Sequence, residues 1–139
     1  MSVIVEADGA RCLPLKAPGA SEPVIPSATT TVISVIGISA FGKPIKDTVF
    51  RPEQFCSITG AELDDNVSTN LIPSLINHKN GAFQNAGPNR RIVVINQADV
   101  NEDLGDELAC LIMQECPLIS SVVVGSLQSN QELLVWRRP

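Results

Sequence analysis

Histidine is almost absent from this chain. His78 is the single imidazole, and with it a Ser-His-Asp relay becomes improbable; no G-x-S-x-G elbow exists, and no cysteine neighbours His78 in sequence. The four cysteines, Cys12, Cys56, Cys110 and Cys116, form no C-x-x-C pair. Irregular spacing of that kind predicts free core thiols rather than a disulfide framework, and one histidine leaves little for a zinc site. Long apolar runs are missing too: none approaches the roughly 20 residues needed to cross a bilayer. The amino terminus has neither a basic segment nor an extended apolar core, so no signal peptide is read there. Lys and Arg total 10 against 15 Asp and Glu, for a net charge of −5, and the cations are scattered. That excludes a basic surface for nucleic acid. These absences predict a cytoplasmic protein with no membrane and no nucleic-acid partner.

What is present suits a packed core. Of 139 residues 44% are hydrophobic and 18% charged, so the chain is expected to be one globular domain over residues 1–139. Val3, Ile4 and Val5 read as a strand buried on both faces, breaking into Glu6-Ala-Asp8-Gly9. Residues 11–26 hold Pro14, Pro18, Pro23 and Pro26, which exclude helix or central strand and predict an extended, ordered loop. Loops of that length in compact domains are more often functional than idle. Thr29 to Ile36 is a second strand. Arg51 to Gly60 reads as a short helix with Pro52 in its first turn and Gly60 closing it. A second helix runs from Leu71 to about Asn77, capped by Ser68 or Thr69. Residues 77–89 form a loop in which His78 is a surface residue.

Arg91 to Asp99 is the clearest strand, followed by a helix from about Val100 to Glu115. Asp99 and Glu102 have capping-box spacing, and Leu104, Leu108, Leu111 and Ile112 make the buried stripe. Ile119 to Gly125 and Leu133 to Trp136 complete the strands, the last as an edge. Long crossovers between strands predict an α/β fold with a largely parallel sheet.

Three turns carry candidate chemistry. Gly37-Ile-Ser-Ala-Phe-Gly42-Lys43 fits the first seven positions of a phosphate loop. Pro44 then stands where a Mg²⁺-binding hydroxyl belongs, and Ile45 to Phe50 do not read as the helix such a loop opens, so a turn is the better reading. Asn96-Gln-Ala-Asp99 resembles the guanine-reading N-K-x-D signature. An Asp carboxylate can accept hydrogen bonds from guanine's ring N–H and exocyclic amine, a pair adenine cannot offer, while the Asn amide serves the other edge of the base and ties loops together. The alternative is that Asn96 and Asp99 end a strand and cap the next helix. Glu6-Ala-Asp8-Gly9, as E-x-x-G, resembles the Mg²⁺ and γ-phosphate sensing motif of metal-handling GTPases; the alternative is an exposed turn.

Several segments together are more specific. Val5 to Ala10, Pro14-Leu-Lys-Ala-Pro18, Glu22-Pro-Val-Ile-Pro26, Gly42-Lys-Pro44, Val49 with Arg51-Pro-Glu53, and Asn96 to Asp99 resemble the selenium-dependent hydroxylase accessory proteins. The resemblance spans nearly the whole chain. It implies a P-loop nucleoside-triphosphatase-like fold and a role in maturing selenium-dependent molybdenum hydroxylases at the cofactor stage. Family members carry a first strand and a Gly-rich Lys-Thr loop ahead of the position of Glu6, and that half is absent here, so the fold is expected to be incomplete. Phe50 replaces a common His, and Gln97 the usual Lys.

Two functions follow. In the first, this is the carboxyl-terminal part of a nucleotide-dependent accessory protein. Asn96 and Asp99 read a GTP-like base, Glu6 or Asp8 serves Mg²⁺, and Lys16 and Arg51 contact an anionic ligand such as the molybdenum cofactor's phosphate. Without the Gly-rich loop the chain is unlikely to hydrolyse nucleotide alone, and the phosphate loop would come from an amino-terminal half in trans. In the second, it is a non-enzymatic scaffold that binds a molybdenum hydroxylase or another cofactor-maturation protein through its Pro-rich loop. An exposed sheet edge further predicts self-association.

Overall fold

The computed structural model describes residues 1–130 and 132–139. In order along the chain it contains β1 (Leu15–Lys16), β2 (Thr31–Gly37), α1 (Ile45–Thr48), β3 (Val49–Phe50), α2 (Pro52–Thr59), α3 (Ile72–Asn77), β4 (Arg90–Asn96), α4 (Glu102–Glu115), β5 (Ser121–Val124) and β6 (Leu134–Arg137). Four strands form the main sheet in the order β2-β4-β5-β6, and β1 pairs with β3 in a small second sheet. Among the described strands only β6 runs antiparallel. The architecture is therefore α/β with mostly parallel strands, as the crossover lengths predict.

The β2–β4 ladder covers seven residue pairs, from Thr31 opposite Arg90 to Gly37 opposite Asn96. Because side chains alternate across a strand, this register sorts the sheet into two unlike faces. Ile36, Val93, Ile95, Val122 and Val124 lie on one face and are almost wholly buried. α4 packs there through Gly105, Leu108, Ala109 and Ile112. Leu104, expected in the buried stripe, is only partly covered, and so is Leu111. Gly105 and Ala109 take the closest positions instead, because small residues let the helix backbone approach the sheet. Phe55 of α2 and Ile72 and Leu75 of α3 extend the same core. Burial of each such side chain is worth about 1.5–3 kcal/mol.

Several expectations are corrected. Val3, Ile4 and Val5 are not a buried strand: residues 1–10 carry no regular structure, and these side chains are 71%, 94% and 57% exposed. Among the described residues no strand pairs with them, so their β-branched composition has nothing to act on. Among the described residues the sheet is covered on one face only. Residues 45–48 do form one helical turn, with Thr48 Oγ1 donating to Pro44 O at 2.9 Å. Asp99 does not cap α4. Its cap is Asn101, whose side-chain oxygen accepts from Leu104 N at 3.1 Å.

The Pro-rich segment is ordered, as expected, although it also contributes the two-residue strand β1. Gln84, buried, donates to Gly19 O at 2.8 Å and also to Glu22 O, while Asn85 donates to Pro23 O at 3.2 Å. These contacts hold a segment that prolines bar from regular backbone bonding. His78 is exposed, and all four cysteines are free thiols. No helix among the described residues is long and apolar enough to cross a membrane.

Two outcomes are expected. Burial, together with Glu115, pushes the Cys116 thiol up to about 11, so at pH 8 iodoacetamide modifies the exposed Cys12 and Cys110 while Cys116 stays unmodified until the chain unfolds, as read by peptide mass mapping. A Cβ at Gly105 would lie 2.9 Å from Val124 Cγ1 and 3.3 Å from Ile38 Cδ1. Gly105→Val is therefore expected to cost about 1–3 kcal/mol in urea denaturation through overpacking.

Candidate functional site

The site is built where β4 ends. At Gln97 the backbone turns left-handed, with φ 64°, a conformation that costs a non-glycine residue energy and persists only where its surroundings hold it. Two sets of contacts do so. Gln97 Oε1 accepts from Ser39 Oγ at 2.7 Å and from Ser39 N at 3.3 Å. Asn96 Oδ1 accepts from Leu127 N at 2.9 Å, and Ala98 N donates to Gly125 O at 3.1 Å. The ends of β2, β4 and β5 are thereby tied together. Gly37 is required here for space: a Cβ would stand 2.7 Å from Gln97 Oε1 and 2.8 Å from Pro14 Cβ.

Beside this knot lies a crevice of about 410 Å³ lined by Asn96, Gln97, Asp99, Ser126, Gln128 and Ser129. It sits at the carboxyl ends of two adjacent parallel strands, the position at which α/β sheets bind ligands. Asp99 is exposed at its rim and, since Asn101 takes the cap, its carboxylate is not spent on α4. A shallow groove of similar volume, lined by Thr59, Asp65, Asn66, Ser68 and Asn70, contains none of the candidate site residues read from sequence. Ser126, Gln128 and Ser129 were not foreseen. Their signal is a polar cluster directly after an apolar strand, but its relevance depends on β5 pairing beside β4.

The other candidates form a second group. Lys16 is ion-paired with Asp8, and its Nζ also donates to Gly9 O at 3.2 Å. Arg51 pairs with Glu22 at 2.8 Å, donates to Ala17 O at 3.4 Å, and lies over the Phe50 ring at 4.3 Å from its centre. Arg11 lies over the same ring at 5.0 Å. Phe50 thus serves as a platform for two guanidinium groups. Partial burial works to raise the Glu22 pKa, but the Arg51 hydrogen bond and charge and the Gly19 amide outweigh it and hold it below the usual value of 4.5. The two groups share one end of the sheet: Gly37 N donates to Pro14 O at 2.7 Å, two residues from Lys16.

The structure therefore brings Asn96 and Asp99 together, and Asp8 with Lys16, while Glu6 is exposed and Arg51 is engaged by Glu22. Among the described residues no group of three or more His, Cys, Asp or Glu side chains could hold a metal ion. Glu6 and Asp8 alone are a poor fit for Mg²⁺, because Lys16 already neutralises Asp8.

Fold and site define an α/β domain with a polar crevice at the carboxyl ends of its parallel strands. Residues 1–53 match a family model described as YqeC protein. The chain is 38% identical over 130 residues to the uncharacterized protein YqeC of Escherichia coli (strain K12), a match covering 92% of this chain and 51% of that protein. The chain thus spans about half the length of the curated relative it matches. No solved structure matches.

The Glu22–Arg51 pair makes stability sensitive to acid. Glu22 is depressed in the folded chain, so its contribution is present above the unfolded value near 4.5 and is lost as pH falls through the folded value. Arg51→Met is expected to flatten that acid limb in urea midpoints measured from neutral pH downward.

Proposed function

We propose that this chain is the base-reading part of a nucleotide-dependent accessory protein of P-loop NTPase-like type, acting in the maturation of selenium-dependent molybdenum hydroxylases. The observation that carries the reading is the crevice in which Asn96 and Asp99 meet the Ser126–Ser129 turn. An exposed carboxylate beside backbone and side-chain amides can accept guanine's N–H pair while offering donors to the other edge of the base. Asn96, bonded to Leu127 N, keeps the two loops in register. Gln97 lines the crevice but its side-chain oxygen is bonded to Ser39, so stacking on the base comes from elsewhere. The pathway rests on the family resemblance carried by the Pro-Leu-Lys-Ala-Pro and Glu-Pro-Val-Ile-Pro segments, and the cytoplasm is the compartment that fits it.

Within this reading the phosphates and Mg²⁺ are bound chiefly by a further segment, in cis or in trans, with Glu6 the carboxylate this chain can add. When bound, Mg²⁺ would neutralise phosphate charge. An anionic ligand such as the molybdenum cofactor's phosphate reaches Lys16 or Arg51 only by displacing Asp8 or Glu22.

That last point favours a second reading: both cations are already paired inside the chain, so the Pro-rich loop serves as a rigid docking element for a molybdenum hydroxylase or maturation protein, with no nucleotide turnover. Calorimetry with GDP and ADP in the presence of Mg²⁺ separates the two, first on this chain and then with the portion of YqeC it does not span. Guanine reading predicts that Asp99→Asn weakens GDP by roughly tenfold or more, ~1.4 kcal/mol, with an unchanged melting temperature because Asn101 holds the cap. Equal binding of GDP by Asp99→Asn and the parent, or no GDP binding in either preparation, sinks the first reading and leaves the scaffold.

A further inference from the structure

Among the described residues the main sheet leaves one face uncovered, and neither end strand, β2 or β6, has an outer strand; on the β2 side Gly37 N is bonded to Pro14 O. On the face opposite α4, Ile33 is 53% exposed, Val35 52% and Val135 46%, and Ile92, Val94 and Val123 beside them are only partly covered. β2 stands at the end of the strand order, although its sequence, Thr-Val-Ile-Ser-Val-Ile-Gly, is apolar toward both faces as in a central strand. A contiguous apolar surface of this kind marks an interface, and an unpaired parallel edge is a template for another strand.

We propose that this face and the β2 edge receive a single further polypeptide segment, one that adds a strand parallel to β2 and lays an apolar helix over Ile33, Val35, Val94 and Val123. Three observations select that occupant over a second copy of the chain. Edge-to-edge pairing of two copies would leave both faces bare, and face-to-face stacking would leave both β2 edges open; a strand joined to a helix satisfies the two at once, and that is how parallel strands are ordinarily connected. The matched relative is about twice as long as the match, which supplies enough chain for such a unit. Arg90 at the amino end of β4 and Arg137 at the carboxyl end of the antiparallel β6 border the bare face at the same end of the sheet and are exposed, so the covering helix carries Asp or Glu at that end. The inference rests on the reading above in one respect, that a further segment completes the sheet, and nucleotide is left out of its test.

The chain is co-produced with the portion of Escherichia coli YqeC outside the match, and mass and amide hydrogen exchange are measured without nucleotide. The expected result is a 1:1 complex in which β2 amides exchange at least tenfold more slowly than in the chain alone. Ile33→Glu with Val35→Glu abolishes the complex while leaving the circular dichroism of the isolated chain unchanged, since both residues are exposed. Absence of a complex, a complex with unchanged β2 exchange, or a homodimer of the chain that protects β2 by itself overturns the proposal. Loss of GDP binding with the complex intact would sink only the guanine reading.

Discussion

Everything at the candidate site depends on the last rung of one ladder. β2 and β4 run parallel in register over seven pairs, and the final pair sets Gly37 beside Asn96. That rung brings the loop after β2 within reach of the turn after β4, so Ser39 can bind Gln97 and hold it in a left-handed conformation. With Gln97 turned inward, Asn96 reaches Leu127 and Asp99 is left at the rim of the crevice. A shift of one residue would send each of these side chains to the other face of the sheet. The absent Cβ at Gly37 is part of the same constraint, because Pro14 and Gln97 both occupy the space a methyl group would need.

The Pro-rich segment obeys a different logic. Prolines deny it a regular ladder, so its order comes from side chains that reach in from distant parts of the chain: Gln84 and Asn85 to its carbonyls, and Arg51 to Glu22 and Ala17. Charges that look available for a ligand in the sequence are thus spent on holding a loop. Lys16 and Arg51 are structural first, and any role toward an anion competes with that use. Phe50 stands at the centre of this arrangement as an apolar platform for Arg51 and Arg11.

Much of the architecture was legible from residue types. The apolar runs of β2, β4 and β5 and the periodic stripe of α4 were strong enough to predict their own states, and the crossover lengths implied parallel pairing. The short pieces were not, since two-residue strands such as Leu15–Lys16 and Val49–Phe50 exist only through each other. The opening Val3-Ile-Val5 shows the converse case. Its composition is that of a buried strand, yet a strand needs a partner, and none lies beside it here. The cap of α4 was misread by two residues because Asp99 and Asn101 are both acceptable caps.

For the site, the division is similar. Sequence alone named the candidate groups, Asn96 and Asp99 above all, and left a single histidine and no C-x-x-C pair for other chemistry. It also determined that the strands were apolar enough to demand covering. Only the tertiary structure decided that Ser126 and Gln128 join Asn96 and Asp99, that Lys16 and Arg51 are internally paired, and that one face of the sheet stays bare. The reason is physical: propensity and period act over a few residues, whereas the Glu22–Arg51 pair and the contacts that build the crevice join segments 29 or more residues apart, and only the pairing register brings those together.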